Sequence, residues 1–404
     1  MLTLLAEMAA ALGAVGLVQC AAGAVAVRGF ARQALAPAAA SPPPVTVLKP
    51  LCGAEPMLEA ALASLLAQEY GPLQVVFGLQ NPADPARAVV ERLRVRFPQR
   101  DIVLVVDSTL HGRNYKIGNL TNMLRAARHA ALVIADSDVH APPGYLADLM
   151  ARLHRPGVGL VTTLYAGLPA RAGLVGRLGA SGITHGFLPG ALMARALGRQ
   201  DCLGATMALR RDTLEAVGGF AALADHLADD HVLGARVRGL GLSVALAATV
   251  PATTVPETDL AALLSHELRW GRTIAGVAPV EYASSLVQHP LAWAGLAVLL
   301  SGLAPWALGF FLAAWAVRGV AGLAIDRALG LYRAGLASPV PFWLLPLRDG
   351  LSLGLLVAAY TGERVVWRGK IMHTASQPAA RQAPVAARGG LSLTAMTSLG
   401  TEPP

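Results

Sequence analysis

The chain has 404 residues, room for one large catalytic domain with additional segments. Hydrophobic residues make up 54% and charged residues 14%, and the mean hydropathy is +0.51, which excludes an ordinary soluble protein and directs attention to a membrane. The net charge of +8 comes from scattered cations without interleaved aromatics, so it fits a membrane surface and phosphate ligands and gives no nucleic acid as partner.

Residues Leu2 to Val27 carry a single charge, Glu7, and reach the roughly 20 apolar residues that cross a bilayer as a helix. Arg28, Arg32 and Lys49 follow and no cation precedes, so 1–28 is expected to be a retained anchor with the N-terminus outside and the next domain in the cytoplasm. A cleaved signal is disfavoured for want of a basic n-region and a cleavage site. Cys20, Cys52 and Cys202 are too few and too far apart for a disulfide framework or a zinc site, which fits a reducing compartment. Residues 29–44, with the Pro/Ala run Ala36–Pro44, read as a linker.

The globular part, 45–260, opens with a short β-rich run, Val45–Pro50, and a helically spaced stretch, Met57–Gln68. Strands are expected at Leu73–Leu79, Ile102–Val106 and Val133–Ala135, alternating with helices Arg87–Phe97 and Gly118–Ala130. That alternation predicts a mainly parallel α/β sheet, whose chemistry sits at the carboxyl ends of its strands. Asp84, in the loop Gln80–Pro85 after the second strand, is placed to hold a base or ribose, or to serve as a turn residue between prolines. After the third strand, His111–Lys116 offers a Gly, Lys116 and a helix N-terminus, which suit a diphosphate.

The strand at Val133 ends in Asp136-Ser137-Asp138. Two carboxylates one residue apart at a sheet rim suit a hard divalent cation such as Mg²⁺ that keeps phosphate oxygens as co-ligands; a helix cap before Pro142-Pro143 is the other reading. A further strand is expected at Val158–Tyr165 and another at Cys202–Leu209, with Gly204 near its start allowing close backbone approach to a ligand. Between them, Leu174–Leu197 is apolar, carries His185, and fits either a helical lid or a membrane-dipping segment. A short helix, Thr213–Gly219, follows.

Asp229-Asp230-His231 opens the next helix, where a carboxylate can cap the helix or act as a general base on a hydroxyl. In 261–289, the interfacial segment, Ser265–Trp270 places His266 and Trp270 on one helical face with Arg269 beside them. From 290 to 365 a membrane region is expected: Leu291–Ile325 is long enough for two short spans, and Val340–Tyr360 is apolar except for Arg348-Asp349, which should face protein or headgroups. Arg364, Arg368 and Lys370 argue for a cytoplasmic end, so the number of crossings must be odd: either the Val340 segment is re-entrant or another span fails. Residues 366–404 form a tail, rich in Ala, Pro, Ser and Thr and expected to be disordered from about 377.

Taken in order, VLKPLCGAEP, QNPADPA, VIADSDV, GLP, THGFLP, GATMALRRDTL, GGF, LADDHVLG, HELRW and PLRDGLS, spanning residues 47 to 352, resemble the ceramide glucosyltransferase-like membrane glycosyltransferases with the GT-A fold. Within that group the sequence is most similar to the bacterial hopanoid-biosynthesis glycosyltransferases. The resemblance implies that Asp84 contacts the nucleotide, that Asp136 lies near metal and diphosphate, and that Asp138 completes an Asp-x-Asp metal pair. It implies that Asp230 is the base of an inverting transfer. Arg269 and Trp270 match the end of a (Gln/Arg)-x-x-Arg-Trp motif, in which His266 replaces the Gln or Arg. His185 matches an acceptor-side histidine, with a structural histidine as the alternative. The implied reaction uses Mg²⁺ or Mn²⁺ and a UDP-sugar, expected to be UDP-N-acetylglucosamine, with a hopanoid polyol such as bacteriohopanetetrol as lipid acceptor. The implied location is the bacterial inner membrane. Ceramide with UDP-glucose is the near alternative. A processive polysaccharide synthase needs a channel that three or four apolar segments can hardly build. A non-enzymatic membrane protein would use its aspartates only as caps.

Overall fold

The computed structural model describes residues 1–33, 35, 41–367 and 370–373; most of the Pro/Ala run, Arg368 and the tail from 374 lie outside them. In chain order the elements are α1 (Leu2–Ala31), β1 (Val45–Pro50), α2 (Leu58–Leu66), β2 (Leu73–Leu79), α3 (Ala86–Arg96), β3 (Asp101–Val106) and α4 (Tyr115–Leu124). There follow β4 (Ala131–Ala135), β5 (Val139–His140), α5 (Tyr145–Leu153), β6 (Val158–Thr162), β7 (Ala166–Pro169), α6 (Leu174–Ser181) and, after a π-helical turn at Gly182–Phe187, α7 (Leu188–Ala196). The domain closes with β8 (Thr206–Arg210), α8 (Arg211–Ala216), α9 (Asp229–Gly239), β9 (Ser243–Leu246) and β10 (Ala252–Val255). The C-terminal part comprises α10 (Leu260–Val277), α11 (Pro279–Ser284), α12 (Pro290–Leu300), α13 (Pro305–Leu329) and α14 (Leu345–Ala359).

The main sheet has the order β3-β2-β1-β4-β8-β6-β9. The β1–β2, β2–β3, β1–β4 and β6–β9 pairs are parallel, and β8 runs antiparallel between β4 and β6. All residues of β1, β2 and β4 are buried, as expected of strands covered on both faces by helices. One apolar core lies under α2, α3 and α5 and a second under α4, α8 and α9. A small sheet, β5-β10-β7, stands at the carboxyl end of β4.

Several boundaries differ from the sequence reading for local reasons. The helix expected from Gly118 starts at Tyr115, because Asn114 caps it by accepting the Ile117 N–H, and it ends at Leu124. The strand expected over Val158–Tyr165 divides, and its two parts join different sheets. The strand expected from Cys202 begins only at Thr206, leaving Gly204 in the loop that reaches the site.

Leu2–Ala31, Pro305–Leu329 and Phe342–Ala359 are long and apolar enough to cross a membrane, and Pro279–Gln288 with Pro290–Leu300 form a pair bent by 64°. The first of the two short spans expected after Leu291 is thus the 11-residue α12, continued by the bent segment before it. Helices α1 and α13 lie side by side in the same direction. Gly13 faces Phe310, while Val27 and Phe30 share a cluster with Ala321 and Ile325. The segment before α14 folds back along α13, with Phe342 against Gly319 and Val340 against Gly322, contacts that a side chain at either glycine would block. Helix α14 then lies along α10, with Arg348 on Glu267 and Ala359 beside Gly271.

Candidate active site

A cavity of about 980 Å³ opens at the carboxyl end of β4 and the amino end of β8 and continues between α10, α1, α13 and α14. Its upper wall carries Asp136, Asp138, Lys116, Asp229 and Asp230, and its side carries His266, Arg269 and Trp270. The Asp136–Asp138 loop is fastened from below. Lys49, buried in β1, donates its ammonium protons to the carbonyls of Asp136 (2.7 Å), Ser137 (3.4 Å) and Val139 (3.1 Å). Burial lowers the Lys49 pKa to about 8, with Asp138, Asp136 and Glu55 opposing that shift. Thr253 on β10 donates to Asp138 Oδ2 at 2.5 Å, and Glu55 accepts from the Ser137 hydroxyl at 2.6 Å.

Lys116, in the first turn of α4, reaches Asp136 Oδ1 at 2.6 Å and the Gly204 carbonyl at 3.4 Å. Burial works against its charge, but Asp136 and then Asp229 outweigh burial and hold it above the ordinary lysine range. Asn114, fully buried, ties this turn to α9 by donating to the His226 carbonyl (2.8 Å) and to Asp229 Oδ1 (3.2 Å). Asp229 Oδ2 is sealed from solvent with no hydrogen-bond partner, and burial raises the pKa of this carboxyl. Asp230 accepts the His231 N–H at 2.7 Å, and burial followed by the neighbouring Asp229 pushes its carboxyl up to about 6. A β-carbon at Gly204 would lie 2.8 Å from Asp230 Oδ2, so the glycine's close approach is to this carboxylate.

On α10, capped by Asp259, His266 pairs with Glu257 and stands edge-on to Trp270 with ring centroids 4.4 Å apart. Trp270 packs against the cluster of Ala180, Ile183 and Val255 and also lines the cavity. Glu267, which sequence reasoning passed over, receives a bidentate pair from Arg348 at 2.8 and 2.7 Å. Arg348-Asp349 therefore faces protein, as its charge required.

The structure brings Lys116, Asp136, Asp138, Asp230, His266, Arg269 and Trp270 to one cavity. His185 sits in its wall with a fully buried side chain whose ring nitrogens both have protein partners: Nε2 lies 3.0 Å from Asp326 Oδ1, and Nδ1 3.2 Å from the Ser181 hydroxyl. Asp84 lies outside the cavity lining and clamps two loops, accepting the Gly53 N–H at 2.9 Å and the Ala86 N–H at 2.9 Å. Lys49, Asn114 and Glu267 escaped the sequence reading. Lys49 alone had a signal there, a lysine inside an otherwise apolar buried strand.

Among the described residues no group of three His, Cys, Asp or Glu side chains could hold a metal ion. The acidic pair nevertheless fits a hard cation that takes its other ligands from a ligand's phosphates. Burial, and then Asp136, pushes the Asp138 carboxyl up to about 6, a like-charge conflict that a cation relieves.

A seven-stranded sheet with paired carboxylates at the end of its central parallel strand defines a GT-A-type nucleotide-sugar fold with membrane helices at both ends of the described chain. A mannosyltransferase from Pyrobaculum calidifontis, solved with GDP-Man and Mn²⁺, superposes with a TM-score of 0.53 at 22% identity, covering 89% of this chain and 98% of its own, which shows the fold. The profile of Glycosyl transferase family 21 matches residues 8–380, and the chain belongs to that family. Ceramide glucosyltransferase 1 of Caenorhabditis elegans is 25% identical over 236 residues, 57% of this chain and 49% of the relative. Ceramide glucosyltransferase of Candida albicans is 26% identical over 122 residues, 27% of this chain and 22% of the relative. The chain spans about half the length of the first of these relatives and less of the second.

Proposed function

We propose that the protein is an inverting membrane glycosyltransferase that moves a sugar from a UDP-sugar, UDP-N-acetylglucosamine in the first instance, to a hydroxyl of a polyol lipid, a hopanoid such as bacteriohopanetetrol in the first instance. The observation that carries this reading is the continuity of one cavity from Asp136, Lys116 and Asp230 to residues of α1, α13 and α14. A water-soluble donor and an amphiphilic acceptor can then meet at one carboxylate. The names of the family relatives, ceramide glucosyltransferases, support a lipid acceptor and hexose transfer.

Asp230 takes the acceptor hydroxyl proton as that oxygen bonds to the anomeric carbon and the bond from that carbon to the diphosphate oxygen breaks, the electron pair leaving with UDP. Attack from the opposite face turns an α-linked donor into a β-glycoside. Mg²⁺ or Mn²⁺ held by Asp136 and Asp138 would supply charge neutralisation for the diphosphate, as the Mn²⁺ of the Pyrobaculum mannosyltransferase complex suggests. Lys116 adds a fixed positive charge on the same side, and Arg269 and Trp270 offer planar donors and a stacking edge. Asp84 sets the shape of the nucleotide side by holding the Gly53 loop. His266, braced by Glu257 against Trp270, borders the acceptor.

The membrane arrangement supports a bacterial inner-membrane protein with its catalytic domain in the cytoplasm. Helix α1 crosses outward to inward, α11 with α12 returns, and α13, parallel to α1, crosses inward again. Helix α14 begins halfway along α13 and lies along α10, so it enters and leaves on one side; three crossings satisfy the odd count.

Purified full-length protein, assayed with UDP-N-acetylglucosamine and UDP-glucose against bacteriohopanetetrol and ceramide, tests the reading. UDP release with the first donor and the tetrol is expected. Transfer from UDP-glucose to ceramide instead establishes the near alternative, favoured by the relatives' names, and no cation-dependent UDP release in any combination removes the enzyme reading.

A further inference from the structure

Tyr165 stands between β6 and β7, half-buried in the wall of the cavity that holds Asp136, Asp138, Asp230 and Lys116. Its ring stacks on Phe187, in the π-helical turn, with centroids 4.9 Å apart and planes inclined by 29°. Both rings pack, as Trp270 does, against Ala180, Ile183 and Val255, so the three aromatic side chains share one corner of the cavity. The backbone that carries Tyr165 is fixed on either side. Before it, Thr162 Oγ1 accepts the Leu203 N–H at 3.0 Å; after it, the Ala166 N–H donates to the Pro251 carbonyl at 2.9 Å and the Gly167 N–H to the Thr184 hydroxyl at 3.0 Å. Leu203 precedes Gly204, whose backbone abuts Asp230 and Lys116, which ties this strand to the charged end of the cavity.

Among the described residues the Tyr165 hydroxyl has no protein hydrogen-bond partner, and it is not sealed from solvent. Tyr145, by contrast, spends its hydroxyl on Thr206 Oγ1 at 2.8 Å. Phenylalanine would serve the stack equally well, so an open phenol in a cavity wall is a donor and acceptor offered to whatever fills the cavity. Burial, and then the charges of Asp230, Asp136 and Asp138, raise its pKa, so it stays neutral and keeps its proton to donate. Those charges belong both to the base and to the acidic pair. In the transfer the anomeric carbon lies between the diphosphate oxygen at the acidic pair and the acceptor oxygen at Asp230, so the sugar ring fills the space these groups enclose. We infer that Tyr165 binds the transferred sugar, its hydroxyl meeting a polar group of the hexose, an inference that rests on the glycosyltransferase reading. The rings of Tyr165, Phe187 and Trp270 supply the apolar surface beside that contact, the usual make-up of a small-molecule site with few placed polar groups.

The test is equilibrium binding of UDP, UDP-N-acetylglucosamine and UDP-glucose to full-length protein in detergent, by calorimetry at fixed Mg²⁺ and without a lipid acceptor. Tyr165→Phe removes one oxygen that no protein group holds and keeps the stack on Phe187, so the melting temperature is expected to be unchanged. Affinity for UDP should stay within about twofold, while affinity for the UDP-sugar that the wild type binds tighter falls roughly fivefold, the worth of one neutral hydrogen bond. Unchanged UDP-sugar affinity, or an equal loss for UDP, overturns the sugar contact and leaves the nucleotide site standing. A lowered melting temperature gives the hydroxyl to the fold and overturns it as well. Wild-type binding of UDP but of neither UDP-sugar removes the contact alone; if the wild type binds none of the three, the glycosyltransferase reading falls and takes the contact with it.

Discussion

The two ends of the cavity treat charge in opposite ways. At the strand ends, Glu55, Asp136, Asp138, Asp229 and Asp230 crowd against Lys49 and Lys116, and Asp138 and Asp230 are pushed up to about 6 by burial and then by a neighbouring carboxylate. At the membrane end the buried charges are matched, Glu267 with Arg348 and Asp349 with Arg318, and Asp326 is hydrogen-bonded to His185 and the Val340 N–H. Paired buried charges hold helices in register and ask for nothing more, whereas an unbalanced cluster is stable only if the architecture enforces it or a ligand completes it. The first end is therefore where chemistry is expected, and the second is a scaffold.

The sharpest way to break this contrast is to replace one charged side chain at each end. Asp230→Asn is expected to lower kcat by about a thousandfold, the order contributed by a positioned base, while UDP binding measured by calorimetry persists. A variant that keeps its turnover would make Asp230 a cap. Arg348→Met should do the reverse. It leaves Glu267 unpaired and is expected to cost about 3–5 kcal/mol of stability, read as a lowered melting temperature, with Glu267→Gln added to it restoring a good part. If the single variant melts like the wild type, the pairs at the membrane end are not the scaffold.

Smaller effects sharpen the chemistry of the strand end. Removing the Lys116 ammonium in Lys116→Met is expected to weaken UDP binding by about 1.5–3 kcal/mol, the worth of a charged hydrogen bond, and UDP affinity measured at fixed Mg²⁺ checks it. The smallest effect concerns pH. A base must be deprotonated, and the Asp230 carboxyl is raised to about 6, so kcat/KM should fall as pH drops through 6, by about tenfold per unit below it. A profile flat down to pH 5 would assign the proton acceptance to another group.

Much of the fold is written in local pattern. The strand at Val133 and its Asp-Ser-Asp ending, a helix following Lys116, and the Asp229-Asp230 helix start were all recognisable, because apolar runs and turn residues act over a few positions. Helix ends were less legible, as α4 shows, since a cap and tertiary packing decide the last turn. The division of Val158–Tyr165 between two sheets was not legible at all, because strand partners come from distant segments.

The sequence by itself determined the class of fold, the membrane attachment and the order in which the carboxylates, Lys116 and the Arg269-Trp270 pair appear. Only the tertiary structure decided which of them share a cavity and what supports them. Lys49 holds the Asp136 carbonyl from 87 positions away, Arg348 reaches Leu178 across 170, and Asp84 accepts the Gly53 N–H from across 31 positions. Burial and charge pairing depend on neighbours in space, and no spacing along the chain encodes which distant residue will supply the opposite charge or leave a polar atom open.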